Sequence, residues 1–189
     1  SRTMHNEQAI HPASAKVITL GGGCFWCTEA VFLRVRGVLQ VTSGYANGHV
    51  SEPSYAQVCE GDTGHNEVVQ VVYEPEHIDL RSLLEIFFAT HDPTTLNRQG
   101  NDVGTQYRSG IYYNDEADRA VAQSVRDEVN AALGGSVVTE LQPLQCFYEA
   151  EAYHQNYFAQ HPNQGYCAFV VAPKVQKFVQ TFASHVRHD

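Results

Sequence analysis

The chain has 189 residues, of which 43% are hydrophobic and 17% are charged, a balance typical of one folded domain. Its 21 acidic residues outnumber its 12 Lys and Arg residues, so the formal net charge is −9 at pH 7. This negative charge disfavours a nucleic-acid partner or an anionic membrane surface. No apolar run is long enough to cross a membrane. We therefore expect a globular protein that binds neither.

The chain contains five cysteines at irregular spacing. An odd number does not fit a disulfide framework, and a chain of this length does not need one. We expect reduced, functional thiols in a monomeric, cytoplasmic protein, although a removed targeting segment would leave no trace. We also expect a flexible N-terminal segment, 1–15, and a single domain, 16–189, whose C-terminal tail carries Cys167.

Hydrophobic patterning predicts the elements of the first half of the chain. In chain order they are strand 16–20, helix 25–35, strand 38–45, strand 65–74 and helix 80–88. Gly37 ends the first helix, and Asp79 is the expected N-cap of the second. A loop rich in Gly, Asn, Ser and Pro, 46–54, separates two of the strands.

A long polar stretch, 90–108, opens the second half and is too long for a simple connection in a compact domain. The elements predicted after it are strand 109–113, a helix capped by Asn114 and ending at 133, strands 137–141 and 145–148, helix 151–160 and a tail helix from 174. The first elements run β-α-β-β-α-β, the split ferredoxin-like order. We therefore expect an α+β protein with a ferredoxin-like core (a two-layer α/β sandwich), long loops and additional C-terminal elements.

Cys24 is the first candidate for chemistry. It follows three glycines, 21–23, and directly precedes the first predicted helix. A helix N-terminus stabilises a thiolate, which is the nucleophilic form of cysteine. A buried cysteine that only packs is the ordinary alternative, but the glycines argue against it because they let the backbone approach another group closely.

Cys24 and Cys27 together form a C-x-x-C pair with three interpretations. Half of a zinc site would need a second pair, and Cys59, Cys146 and Cys167 are isolated in the sequence. A redox dithiol is the second interpretation, because two sulfurs three residues apart at a helix start can meet. The third is a nucleophile with an incidental neighbour. The sequence leaves the last two open.

Polar residues in three loops are candidates for a site around this thiol. Glu67 precedes two valines, so partial burial would raise its pKa and make it a proton donor. Asp102 and Tyr107 lie in the long polar stretch, and Tyr55 offers a further phenol. Solvated loop side chains are the ordinary alternative for all four.

The two aromatic residues after Cys24 also have two interpretations. Phe25 and Trp26 either belong to the core or form an apolar wall for a substrate group. Trp26 is the single tryptophan of the chain.

Taken together, these motifs resemble the type A peptide methionine sulfoxide reductases. The resemblance extends in collinear order from about residue 17 to about residue 168. The matching motifs are Gly23-Cys24-Phe25-Trp26, Gly44-Tyr45, Tyr55, Gly61-Asp62-Thr63-Gly64-His65-x-Glu67, His91-Asp92-Pro93, the run 99–109 without residue 103, and Gly165-Tyr166-Cys167. One motif alone would be a weak signal, whereas several in the same order are specific.

The resemblance implies reduction of the S epimer of methionine sulfoxide, free or in oxidised proteins. It implies that Cys24 attacks the sulfoxide sulfur while Glu67 gives a proton to the sulfoxide oxygen. It further implies that hydrogen bonds from Tyr55, Tyr107 and Asp102 assist this proton transfer. Phe25 and Trp26 would surround the methyl group of the substrate. The implied product is a sulfenic acid on the nucleophile, which a second cysteine converts to a disulfide. Thioredoxin then reduces that disulfide, and no bound cofactor or metal is implied.

The chain departs from the commonest family pattern at Cys27, where many members have glycine. We expect Cys167 to be the resolving thiol, with Cys27 as the second choice, acting directly or as a relay. Cys59 and Cys146 are expected to pack. Two other functions are a thiol-disulfide oxidoreductase that uses Cys24 and Cys27, and a non-catalytic binder of methionine-containing peptides.

Overall fold

The computed structural model describes residues 10–188, and most of its strands belong to one mixed sheet. The eight strands of the described range are β1 (Lys16–Gly21), β2 (Val38–Ala46), β3 (Asn66–Tyr73), β4 (Arg98–Gln99), β5 (Asp102–Val103), β6 (Gly110–Tyr113), β7 (Glu140–Pro143) and β8 (Phe147–Glu149). The six-stranded sheet has the order β7-β6-β1-β3-β2-β8, and β4 pairs with β5 in a separate small hairpin.

Six α-helices accompany these strands in the described range. They are α1 (Phe25–Phe32), α2 (Tyr55–Cys59), α3 (Leu80–Ala89), α4 (Glu116–Ala132), α5 (Tyr157–Gln160) and α6 (Ala172–Thr181). Short 3₁₀ turns lie at Thr105–Tyr107, Ala152–His154 and Ala183–His185, and a π-helical turn, Cys167–Val171, runs directly into α6.

The centre of the sheet is antiparallel. Strand β1 pairs with both β3 and β6, so that Leu20 lies opposite Val69 on one side and Ile111 on the other. Strand β7 is the exception, because it runs parallel to β6. Apolar side chains of the sheet and of α1, α3 and α4 form one buried core. The fold is thus of mixed α/β type.

The starts of α3 and α4 show how side chains set helix boundaries. Oδ1 of Asp79 accepts a hydrogen bond of 2.8 Å from the backbone N–H of Ser82, as its predicted capping role requires. At α4 the cap is Asp115 and not the predicted Asn114, because Oδ1 of Asp115 accepts the N–H of Asp118 at 2.8 Å. The Asn114 amide instead donates to the carbonyl of Val17.

The C-terminal third departs most from the predicted elements. Strand β7 begins at Glu140 instead of residue 137, because the N–H of Val137 binds the Asn130 side chain and that of Val138 binds the carbonyl of Pro93. The single helix predicted for 151–160 is wrong. A 3₁₀ turn and α5 replace it, separated at Asn156, which has a left-handed φ of 55°.

The tail helix begins earlier than predicted, with the π-helical turn that contains Cys167. Of the predicted flexible segment, residues 1–9 lie outside the described range. Within its described part, Oγ of Ser14 donates to Glu74 at 2.6 Å and the ring of His11 lies 2.8 Å from the amide oxygen of Gln40. No helix among residues 10–188 combines the length and apolar character that a membrane span requires.

Candidate active site

Cys24 is the N-cap residue of α1, at the end of the glycine loop that follows β1. Gly23 has a φ of +97°, which an L-residue rarely adopts. A Cβ built on it would lie 2.6 Å from Cγ of Gln99, and one on Gly21 would lie 2.4 Å from Nδ2 of Asn66. The glycines therefore let the backbone before the thiol pack directly against polar side chains from two other parts of the chain.

The ring of His91 packs against the same glycine loop. A Cβ on Gly22 would approach the His91 ring at 3.3 Å. Nδ1 of His91 lies 2.6 Å from the carbonyl of Phe87, and Nε2 lies 2.7 Å from Oγ of Ser109. Burial lowers the pKa of His91 to about 4, so the ring is neutral at physiological pH. This histidine therefore acts as a packed support and not as an acid or base.

Glu67 lies on β3, directly across from Tyr45 on β2. Its carboxyl is 1% exposed, and its Oε1 accepts a hydrogen bond of 3.2 Å from the backbone N–H of Phe25, the first residue of α1. Burial raises the pKa of Glu67 to about 8, the Asp102 charge acts in the same direction, and the Phe25 N–H opposes both. The carboxyl is consequently protonated at neutral pH, as the sequence predicted.

The thiol of Cys24 is also protonated in this state. Burial raises its pKa well above the ordinary value, and charges on Glu67, Cys27 and Asp102 raise it further. The N–H of Trp26 lowers the pKa, but this contribution is smaller. The helix N-terminus thus favours the thiolate, as predicted, but desolvation exceeds its effect in the resting protein.

The three other predicted polar residues come from three different elements. Tyr55 begins α2, Asp102 lies on β5, and Tyr107 ends a 3₁₀ turn. Burial raises the pKa of both tyrosines, and the Glu67 charge is the next cause for each. Both phenols therefore keep their protons at neutral pH. Tyr55, Tyr107 and Cys24 all lie within electrostatic reach of the Glu67 carboxyl, on which Asp102 also acts.

Phe25 and Trp26 form two sides of an aromatic wall. The ring of Phe25 stacks on Tyr55, with ring centroids 6.4 Å apart, and lies 5.1 Å from His154. Trp26 stacks face to face on Tyr157 at 3.7 Å, and its Nε1–H donates to Nδ1 of His154 at 3.0 Å. Both residues thus pack against other aromatic residues, with Trp26 only partly buried.

Three residues that support this wall were missed by the sequence analysis. Glu151 accepts the hydroxyl proton of Tyr45 on Oε1 and the N–H of Tyr55 on Oε2, each at 2.8 Å. His154 and Tyr157 hold the indole of Trp26. The aromatic-rich composition of 151–160 was the available signal.

Glu29 is a further buried acid that the sequence analysis did not identify. It lies on α1, is 2% exposed, and its Oε2 accepts the N–H of Asn156 at 2.8 Å. Burial raises its pKa to about 7, although hydrogen bonds from the backbone N–H groups of Asn156 and Tyr157 act to lower it. Glu29 therefore ties α1 to the start of α5, the helix that carries the stacking partner of Trp26.

All five cysteines are free thiols. Cys27 and Cys167 are both buried. A charge on Cys27 raises the pKa of Cys24, and a charge on Cys167 raises the pKa of Cys27, so Cys27 lies within electrostatic reach of both other thiols. Cys146 is half-buried, but Cys59 is exposed at the end of α2, so the expectation that it packs is wrong. Within residues 10–188, no three His, Cys, Asp or Glu side chains converge as metal ligands would.

Comparisons with known proteins agree with this arrangement. Residues 16–186 match the family profile described as peptide methionine sulfoxide reductase. The chain is 54% identical over 172 residues to peptide methionine sulfoxide reductase MsrA of Saccharolobus solfataricus. The alignment covers 91% of this chain and 97% of that protein.

Two solved structures of yeast Mxr1 are also similar. The reduced form of Mxr1 from Saccharomyces cerevisiae is 42% identical, with a TM-score of 0.77 and coverage of 83% of this chain and 91% of that chain. Mxr1 in complex with Trx2 is 31% identical, with a TM-score of 0.56 and coverage of 79% and 91%.

Proposed function

The chain belongs to the peptide methionine sulfoxide reductase family, and from that premise we propose how its residues reduce methionine sulfoxide, free or in oxidised proteins. The enzyme is an oxidoreductase that repairs oxidised methionine, and we assign it the S epimer as its substrate. The observation that carries the assignment of roles is the buried, protonated Glu67 beside the Cys24 thiol.

In the first step, the sulfur of Cys24 attacks the sulfoxide sulfur and takes its oxygen. Cys24 becomes a sulfenic acid while the sulfoxide is reduced to methionine, and the thiol proton of Cys24 passes to Glu67, where it replaces the proton that Glu67 gives to the oxygen. Glu67 supplies a proton to the oxygen, which becomes strongly basic as its bond to the methionine sulfur weakens. The phenols of Tyr55 and Tyr107 donate further hydrogen bonds to that oxygen, and the charge of Asp102 helps to keep the proton on Glu67 by raising its pKa.

Phe25 and Trp26 hold the methyl group of the substrate. The contacts of both rings with neighbouring aromatic side chains support this role, because they fix the shape of an apolar wall next to Cys24. An apolar wall also excludes water from the sulfenic acid once methionine has formed.

Cys167 is our first choice for the resolving thiol, which forms part of the final disulfide. Cys27 acts as a relay between Cys24 and Cys167. Cys27 lies in the first turn of α1, where its N–H binds the carbonyl of Cys24 at 3.0 Å. Cys27 first attacks the sulfenic acid of Cys24, which forms a Cys24–Cys27 disulfide and releases water. The thiol of Cys167 then attacks Cys27 in a thiol–disulfide exchange, and its proton goes to Cys24, which leaves as a thiol. Thioredoxin reduces the final disulfide, and the complex of the yeast relative with Trx2 supports this partner.

Mass mapping of disulfides tests this route. The protein is treated with one equivalent of methionine S-sulfoxide without reductant, blocked with an alkylating agent and digested. We expect one equivalent of methionine and a Cys27–Cys167 disulfide, whereas Cys24→Ser should form neither. A thiol-disulfide oxidoreductase would instead leave the sulfoxide unconsumed and would form a Cys24–Cys27 disulfide only by exchange with an added disulfide substrate.

We also propose a ferredoxin-like core for the fold. Two observations support it: four antiparallel strands lie side by side in the order β6-β1-β3-β2, and along the chain these strands and the helices α1 and α3 follow the β-α-β-β-α-β order. The monomeric state, the cytoplasmic location, the single domain 16–189 and the lack of a cofactor, nucleic acid or membrane partner stay predictions from the sequence.

A further inference from the structure

The hydroxyl of Tyr166 lies between a thiol and a carboxylate. It donates a hydrogen bond to Oδ2 of Asp102 across 2.6 Å, and the same oxygen lies 3.8 Å from Sγ of Cys27. A phenol has one proton, and here that proton points toward Asp102. The thiol must therefore be the donor in the contact between Cys27 and Tyr166. The three groups form a chain along which the thiol proton can move toward the carboxylate.

We propose that Tyr166 and Asp102 accept the proton of Cys27 when this thiol attacks the sulfenic acid of Cys24. The inference rests on the proposed function, because it concerns the step that follows methionine release. A bond forms between the two sulfurs while the S–O bond of the sulfenic acid breaks. The sulfur of Cys27 is oxidised, and that of Cys24 is reduced from the sulfenic to the disulfide level.

The protons in this step balance. The Cys27 proton passes to the oxygen of Tyr166, whose own proton passes to Asp102. Asp102 then gives a proton to the hydroxide that leaves Cys24, and the oxygen departs as water. The charge of Asp102 acts on Cys24 as well as on Cys27, which places the carboxylate within electrostatic reach of both ends of the path.

The surroundings of Cys27 explain why its attack needs a proton acceptor. The side chain is 2% exposed. Burial raises the pKa of the thiol, although the positive charge of Lys174 opposes this rise. At neutral pH the thiol therefore keeps its proton, and a neutral thiol is a poor nucleophile.

Tyr166 transmits the proton and does not act as an ionised base. Burial raises its pKa, and nearby charges on Cys24, Cys27 and Asp102 raise it further. The phenol therefore gains one proton as it loses another. Its ring meets the edge of Trp26 at 78°, with ring centroids 5.8 Å apart, which restricts the position of the hydroxyl.

Single-turnover kinetics of Tyr166→Phe test the inference. The full-length protein is mixed with excess methionine S-sulfoxide without reductant, and samples are quenched over time. Methionine is quantified by chromatography, and the sulfenic acid is trapped with dimedone and measured by mass spectrometry. We expect Tyr166→Phe to prolong the lifetime of the sulfenic acid at least about tenfold, within the range of general acid–base effects. Tyr113→Phe, which alters a half-buried tyrosine on β6, serves as the matched control.

The same substitution in the Cys27→Ser protein distinguishes a proton path from a general structural effect. In Cys27→Ser, the sulfenic acid decays without the Cys27 thiol, so adding Tyr166→Phe should change its lifetime less than about twofold. An equal prolongation with and without Cys27 would overturn the inference, as would an unchanged lifetime in Tyr166→Phe. Failure of the proposed function appears separately, as the absence of methionine in every variant.

Discussion

The backbone N–H of Phe25 donates to one carboxyl oxygen of Glu67 across 3.2 Å, so the first residue of α1 orients the proposed proton donor. The other oxygen, Oε2, is buried and binds no group among residues 10–188. A buried polar atom without a partner is costly, and such atoms concentrate at functional sites. The sulfoxide oxygen is the partner that this geometry suits.

The first prediction concerns the pH dependence of methionine formation. The pKa of Glu67 is raised to about 8, so the proton-donating form is present below that pH and is lost above it. The single-turnover rate should therefore fall as the pH rises through about 8. Glu67→Gln should lower the rate about 100-fold and remove this alkaline decline. The exposed Glu128→Gln is the control, and an identical decline in Glu67→Gln would assign the titration to another group.

The second prediction concerns the pH dependence of stability. The folded protein holds the Glu67 proton more tightly than the unfolded chain does, because burial raises the pKa from 4.5 to about 8. The free energy of unfolding should therefore decrease between these two pH values as Glu67 ionises in the unfolded state. Urea unfolding at pH 6 and pH 9 should show a smaller decrease in Glu67→Gln than in the parent protein. An equal decrease would mean that other groups dominate.

The third prediction concerns the glycine loop. In Gly23→Ala, the new Cβ would meet Gln99 at 2.6 Å and the backbone would keep a φ of +97°. We expect a loss of about 1–3 kcal/mol in the free energy of unfolding and at least tenfold slower methionine formation, because Cys24 follows directly. Gly165→Ala is the matched control, since nothing lies within 4 Å of its added Cβ. Equal losses in both variants would contradict the steric explanation.

The fourth prediction concerns Glu29 and the aromatic wall. Glu29→Gln replaces one carboxyl oxygen with an NH₂ group and removes the charge, which weakens the hydrogen bonds from the two N–H groups at the start of α5. Tyr157 should then leave its 3.7 Å stack on Trp26, which changes the emission of the single tryptophan. We expect KM for methionine sulfoxide to rise about fivefold with a smaller change in kcat. The exposed Glu116→Gln should change neither, and an unchanged emission spectrum in Glu29→Gln would reject this role.

The three strands of the first half and its helices α1 and α3 could be predicted because local patterns agree with the tertiary structure there, whereas the short helix α2 was missed. The valine run of β3 and the spaced apolar residues of α3 are buried as their periodicities predict. The prediction failed where backbone groups bind distant side chains. Gln155, for example, binds both backbone groups of Ser43 at 3.0 Å, a contact between residues 112 positions apart that no local pattern reveals.

The sequence by itself determined the family motifs, and these motifs carry Cys24 and Glu67, the residues that we propose for sulfoxide reduction. Only the tertiary structure decided the protonation of these two groups, because a pKa depends on desolvation and on charges from distant parts of the chain. The same holds for the hydrogen-bonded chain from Cys27 through Tyr166 to Asp102. Its members lie on three separate elements, and packing of the tail against α1 and the β4–β5 hairpin brings them together.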